Sequence, residues 1–188
     1  MKLILLRCPN CSEPLKPEND DLVLACSNCH TPVAIATNGP VKMRVQYAVP
    51  ERFKLGNSQR WVPFWVFQGR VRIQKRETQG RSKKDRKSSE ALWGIQRHLY
   101  VPAWDLDMQM AQDVGSKMIK DQPKFSFVDQ PDEVRLVPVT VKPKDAEKLL
   151  EFIVLAIEAR RRDWLKDLKF QLDAGEPELW ALPENSYR

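Results

Sequence analysis

Trp61-Val62-Pro63-Phe64-Trp65-Val66-Phe67-Gln68-Gly69-Arg70-Val71-Arg72-Ile73 reads as a long β-strand, and the architecture of the chain builds outward from it. Its side chains alternate. Trp65, Phe67, Val71 and Ile73 share one face; Gln68, Arg70, Arg72 and Gln74 share the other. Gly69 in the middle marks a bulge or a close approach of another backbone. The opening of the strand is echoed further on, where Tyr100-Val101-Pro102-Ala103-Trp104 repeats the pattern of Trp61-Val62-Pro63-Phe64-Trp65. Beyond it, Trp104, Leu106, Met108 and Met110 alternate with Asp105, Asp107 and Gln109. The repeat predicts two related strands in one sheet, each with proline near its start, where a missing ladder hydrogen bond is tolerated. Trp61, Trp65 and Trp104 suit a buried structural role. The competing reading is an aromatic surface on which a ligand stacks.

Between these two strands, residues 75–90 hold seven bases, three acids and no aliphatic or aromatic side chain before Ala91. They read as an exposed basic hairpin loop, with Leu92-Trp93-Gly94-Ile95 starting the return strand. Val134 to Val141 reads as a further strand. Residues 143–172 carry apolar side chains at spacings of three, four and seven, including Ala146, Leu149, Leu150, Ile153, Ile157, Trp164, Leu168 and Leu172. They predict a long helix with Pro143 in its first turn and Gly175 at its exit. Arg160-Arg161-Arg162 interrupts that stripe, so a bend or a break into two helices is open there. Glu178 to Pro183 suits a short terminal strand around Leu179-Trp180.

Toward the N-terminus lie two CxxC pairs, Cys8-Pro9-Asn10-Cys11 and Cys26-Ser27-Asn28-Cys29, separated by 14 residues. They hold all four cysteines of the chain. Four soft thiolates at this spacing suit one tetrahedral Zn²⁺ in a structural role. Each CxxC folds as a knuckle whose amides point at the sulfurs. Glycine is common after the second cysteine of such a knuckle; here Ser12 and His30 stand there, which predicts a looser geometry. A redox CxxC needs a βαβ setting that neither pair has, and four thiolates leave no open position for catalytic zinc. The expected fold class is therefore α+β: a zinc ribbon over residues 1–40, ended by Asn38-Gly39-Pro40, then a mainly antiparallel sheet over 41–188 covered by the long C-terminal helix.

The chain has 188 residues, 42% of them hydrophobic, which suits one ordinary domain beside a small module. The formal net charge is +6 and is unevenly placed: −1 over residues 1–40, +10 over 41–90 and −3 over 91–188. An anionic partner would dock on the middle segment. The candidate anion-binding and nucleic-acid-binding residues are Arg70, Arg72, Lys75, Arg76, Arg81, Lys83, Lys84, Arg86 and Lys87, against the bland reading of a solvated hairpin tip. The loop lacks the aromatics that would stack bases. Asp105 and Asp107 read as the solvated face of their strand, and His30 as a surface histidine. No nucleophile, acid and base assemble around His98, and no phosphate loop is present, so no enzyme activity is expected. The longest apolar run is too short to span a bilayer, no export signal is legible, and every cysteine sits in a CxxC, so a reducing cytoplasm is expected.

Cys8, Cys11, Cys26 and Cys29 followed by Val62-Pro63-Phe64-Trp65-Val66-Phe67 resemble a loosely defined group of bacterial proteins. In that group a zinc ribbon of the transcription-factor-IIB type precedes a β-rich module carrying a "VPFW" signature. The resemblance covers roughly the first 110 residues and implies a structural zinc, a mixed β module and no enzyme activity. Two functions are expected on these grounds. The first is a non-enzymatic adaptor, a rigid platform for a protein partner. The second is a nucleic-acid-binding protein of transcription, replication or repair that uses the basic segment.

Overall fold

The computed structural model describes residues 5–51, 53–56, 60–80, 83–131 and 134–187. Along the chain come β1 (Val23–Ala25), β2 (Pro32–Ala36), β3 (Gly39–Lys42), β4 (Gln46–Pro50) and β5 (Arg60–Gln79). These are followed by α1 (Lys83–Trp93), β6 (Arg97–Pro102), α2 (Met108–Asp121), β7 (Phe125–Val128) and β8 (Arg135–Leu136). The chain ends with α3 (Pro143–Ala159), β9 (Trp164–Ala174) and β10 (Glu178–Pro183). The fold is α+β. Strands β1-β2-β3 form a small antiparallel sheet beside the cysteines, and the remaining seven form a mixed sheet in the order β6-β5-β10-β4-β7, with β8 and β9 also pairing with β5.

The 20-residue β5 is the spine of the larger sheet. Residues 61–67 are buried on both faces, which is why the run from Trp61 to Phe67 is apolar throughout rather than alternating. Alternation begins at Gln68, where only one face stays covered. The two echoed sequences are antiparallel neighbours, with Trp65 opposite Val101 and Phe64 opposite Pro102. Gly69 faces Arg97 of β6 on one side and Ala174 of β9 on the other. A Cβ there would lie 2.6 Å from the Ala174 Cβ and from the Asp173 carbonyl oxygen. The glycine therefore marks a close backbone approach.

Strands β10 and β9 run along the same edge of β5. They cover Trp61–Val66 and Gly69–Gln79 respectively, interrupted only by the short link over residues 175–177. The opposite edge is covered by β8 and β6, but only as far as Gly69. Helix α3 lies on the sheet and buries Ala146, Leu150, Ile153, Val154 and Ile157; Pro143 opens it, as expected. Helix α2 packs against β6 and α3. Its Gly115 sits so near Ile153 Cδ1 that an added Cβ would be 2.5 Å away.

Five expectations are corrected. The helix predicted over 143–172 ends at Ala159, and the stretch after the arginines is β9. Leu168, Phe170 and Leu172 alternate as a strand, while Trp164, Leu168 and Leu172 also fit a four-residue helical spacing; the unpaired edge of β5 selects the strand. Residues after Trp104 form no strand, because Asp107 caps α2 by accepting from the Met110 N–H at 2.7 Å. The basic loop 75–90 is instead the end of β5 followed by α1, and the return strand begins at Arg97 rather than Leu92. Asn38-Gly39-Pro40 is no break: β3 begins at Gly39 (φ 123°) and hairpins back onto β2. Of 134–141, only Arg135–Leu136 forms a strand.

Candidate metal centre and basic groove

The two CxxC pairs fold into matching knuckles. In the first, the Ser12 N–H donates to the Cys8 carbonyl (2.9 Å) and the Cys8 N–H to the Glu13 carbonyl (2.8 Å). In the second, the His30 N–H donates to the Cys26 carbonyl (2.9 Å) and the Cys26 N–H to the Thr31 carbonyl (3.0 Å). Ser12 (φ 64°) and His30 (φ 55°) adopt the left-handed backbone for which glycine is the usual residue. The knuckle geometry is thus kept without glycine, at a backbone cost of about 1–2 kcal/mol each.

All four sulfurs lie within 4.8 Å of one another. Cys8 Sγ is 3.6 Å from Cys29 Sγ, and Cys11 Sγ is 3.6 Å from Cys26 Sγ, so each short contact joins one knuckle to the other. The thiols are free rather than disulfide-bonded. A tetrahedral ion with bonds of about 2.3 Å sets its sulfurs about 3.8 Å apart, so the cluster fits a metal ion. The Asn10 N–H donates to Cys8 Sγ at 3.4 Å. The Thr31 hydroxyl lies 3.3 Å from Cys29 Sγ and is the main reason that thiol titrates down at about 5. Burial pushes the Cys26 thiol up to about 11. Among the described residues, Cys8, Leu15, Cys26 and Val33 form the buried cluster of this lobe, so two of these four are metal-ligand candidates.

The lobe is fixed to the main body. Val23 and Val139 form an antiparallel bridge, with the Val139 N–H donating to the Val23 carbonyl (2.8 Å) and the Leu22 N–H to the Val139 carbonyl (2.7 Å). The Gln130 amide donates to the His30 carbonyl at 2.9 Å, so His30 marks a contact between lobe and body. Val23 is buried in the main core.

The predicted basic residues separate into three groups. Arg70 and Lys83 line a groove of about 880 Å³ between the far half of β5 and α1, and neither has an ion-pair partner among the described residues; nor do Lys84 and Lys87 on the exposed side of α1. Arg72, Lys75 and Arg86 also line the groove but are paired. Arg72 pairs with Asp173 (2.5 Å), Lys75 with Glu77 and Asp167 (2.8 and 3.0 Å), and Arg86 with Glu90 (3.5 Å). Arg76 is no surface cation: its side chain is 9% exposed. Arg81 lies outside the described residues.

The placement of Arg76 has a local cause. The register of β5 on β9 shifts between Ile73 and Lys75, and that bulge turns residue 76, rather than 75, to the covered face. There its guanidinium donates to Asp163 (2.6 and 2.7 Å) and to Glu158 (2.7 Å). Glu158, fully buried, also accepts from Trp93 Nε1 (2.8 Å) and Arg161 Nε (2.9 Å). Arg161 reaches Ser88 as well, so the network joins β5, α1, the end of α3 and the start of β9. Arginine 76 holds the Asp163 carboxyl below the usual carboxylate range. Sequence reasoning missed this network. Its only signal is the acids flanking Arg160-Arg161-Arg162, which read equally well as surface charge balance.

The tryptophans also separate. Trp61 (1% exposed) and Trp65 are core residues, and Trp65 Nε1 donates to the Val141 carbonyl at 2.8 Å, so they form no aromatic surface. Both lie where β5 is sandwiched on its two faces. Trp104 is half-buried against Phe64 and Tyr187, with ring centroids 5.1 and 5.7 Å away. The exposed tryptophan is Trp164 (74%), which opens β9 opposite Gln79. Asp105 and Asp107 belong to no metal-ligand cluster among the described residues, and Asp107 is the cap of α2. No helix among the described residues is long and apolar enough to cross a membrane. Comparison with protein-family models, with curated proteins and with solved structures finds no match to this chain.

Proposed function

We propose that this protein is a non-enzymatic zinc-ribbon adaptor of the reducing cytoplasm, a rigid platform for a protein partner. One structural Zn²⁺ is held by Cys8, Cys11, Cys26 and Cys29. The observation that carries the reading is the four-sulfur cluster whose lobe is bonded to the main body through Val23 and Val139. Four thiolates complete a tetrahedral sphere, so this chemistry supports holding a shape rather than activating water. Zinc is favoured over harder ions by the all-sulfur donor set. The resemblance to bacterial ribbon-plus-"VPFW" proteins points the same way. The test is metal analysis together with affinity capture of the tagged full chain from bacterial lysate. Expected are one zinc per chain and a protein retained in constant ratio after nuclease treatment and a salt wash. Turnover of a substrate that is lost on a change away from the cysteines overturns the adaptor reading, as does the capture of no macromolecule.

A second reading, nucleic-acid binding, is supported by the cations Arg70, Lys83, Lys84 and Lys87, which have no ion-pair partner among the described residues. Such binding weakens steeply with salt, because each phosphate neutralised releases a condensed counterion. Filter binding of single-stranded and duplex DNA and RNA against salt tests it. Changing Lys83, Lys84, Arg86 and Lys87 to Glu is expected to abolish binding at low salt; unchanged affinity, or none at the outset, removes this reading.

A further inference from the structure

Among the described residues, the far half of β5 is paired on one side only. Residues Gly69–Gln79 bond to β9, while β6 leaves the opposite edge after Gly69. Which groups face that edge follows from the bonds at the near end. The carbonyls of Trp61 and Pro63 accept from Val137 and Ala103 on the β8 and β6 side. Those of Arg60 and Gln68 accept from Glu184 and Gly175 on the β10 and β9 side. Backbone groups alternate between edges with a period of two, and the register is unbroken up to Ile73. Val71 and Ile73 therefore turn their N–H and C=O groups to the open edge. No strand or backbone hydrogen bond meets them there among the described residues. Instead the edge borders the 880 Å³ groove, whose far wall is the α1 face bearing Lys83, Arg86 and Trp93.

We propose that this groove takes an extended acidic peptide segment of a protein partner, which adds to β5 as a further strand. The inference rests on the adaptor reading and names the surface and the chemistry of its partner. Main-chain bonds to Val71 and Ile73 supply affinity without regard to sequence, and the flanking side chains supply selection. A strand laid along the edge presents alternate residues to the two faces of the sheet. On the open face it meets Arg70, Arg72 and Lys75; on the other it meets Val71, Ile73 and Trp93. The matching segment alternates acidic with apolar residues. From Arg70 to Thr78 the edge runs about 26 Å at 3.3 Å per residue, enough for a segment of seven or eight residues. The same cations disfavour a second copy of this chain, whose own basic edge would be brought against them.

The test uses the full zinc-loaded chain and a set of synthetic decapeptides in which Glu or Asp alternates with Val, Ile, Phe or Tyr. Amide hydrogen exchange is followed residue by residue. Expected are rapid exchange at Val71 and Ile73 in the free protein and at least tenfold slowing on addition of the best peptide. N-methylation of alternate peptide amides, in the one of two registers that faces β5, is expected to weaken binding at least tenfold. So is the paired change Arg70→Glu with Lys83→Glu. The inference is overturned if no peptide of the set binds below millimolar concentration, or if neither N-methyl register matters. It also falls if the two amides are slow in the free protein, or slow with protein concentration alone, which signals a second copy as occupant. Equal competition by a single-stranded oligonucleotide with no change at the two amides marks the groove as a general anion surface and likewise overturns it. A captured protein partner that leaves Val71 and Ile73 exchanging freely removes the groove while the adaptor reading stands; capture of nothing removes both.

Discussion

At the scale of single residues, the most consequential group is a cation enclosed by the fold. Arg76 neutralises two buried carboxylates, those of Glu158 and Asp163. Arg76→Met is expected to cost about 3–5 kcal/mol in urea-induced unfolding, because Glu158 and Asp163 are left buried beside one remaining arginine. A loss below 1 kcal/mol shows that the network is wet. Two titrations set the pH dependence. Burial pushes the His98 imidazole below its usual value of about 6.5, with Glu178 opposing. The unfolded chain therefore takes up a proton that the folded chain resists, and stability falls as pH drops through 6.5 until the folded imidazole also titrates. Asp163, held low chiefly by Arg76, contributes stability above its ordinary 3.8 that is lost as pH falls further. Unfolding measured at pH 7.5, 5.5 and 3 is expected to show two successive losses. His98→Gln is expected to remove the first; its persistence in that variant assigns it elsewhere.

At the scale of elements, caps and unpaired edges decided what periodicity left open. The alternation Trp104, Leu106, Met108, Met110 reads as a strand, but Asp107 starts a helix that buries Ala111, Met118 and Ile119. A sequence signal was present: an Asp three residues before the Met110 amide it caps. Asp107→Ala is expected to cost about 0.5–2 kcal/mol, read as a lowered thermal midpoint, while Asp107→Ser or Asn retains most of the stability. Equal loss in all three variants shows that the cap contributes little. The segment after Arg162 was ambiguous for a different reason. Its apolar residues fit both periods, and only the availability of the β5 edge chose between them.

At the scale of the whole molecule, the small lobe has only a four-residue buried core, two of whose members are metal-ligand candidates, so its fold is expected to depend on a bound ion. Structural zinc contributes on the order of 10–16 kcal/mol in small finger peptides, far more than Leu15 and Val33 can offer. Removing zinc with a chelator is expected to abolish amide protection in β1–β3 while β5, β6 and β10 stay protected. The body should lose only the part of its stability that flows through the Val23–Val139 bridge. Retained protection in β1–β3 after complete metal loss shows that the ion is not structural. Global unfolding shows instead that lobe and body form one cooperative unit.

The sequence by itself determined the local features whose chemistry is complete within a few residues. The knuckles and their four ligand candidates, the spine at 61–73, the start of α3 at Pro143 and the terminal strand at 178–183 were all legible there, while Gly69 was legible only as a bulge or a close approach. Only the tertiary structure decided where the polar residues went. Arg76 and Glu158 look like their exposed neighbours, and nothing local says that a bulge after Ile73 turns one of them inward. The tryptophans of β5 differ: their size already favoured burial, and Trp61 and Trp65 are buried. Burial, partner and free edge depend on what the rest of the chain brings alongside, and contacts such as 76 with 158 and 163, or 69 with 97 and 174, join residues too far apart for any local pattern to record.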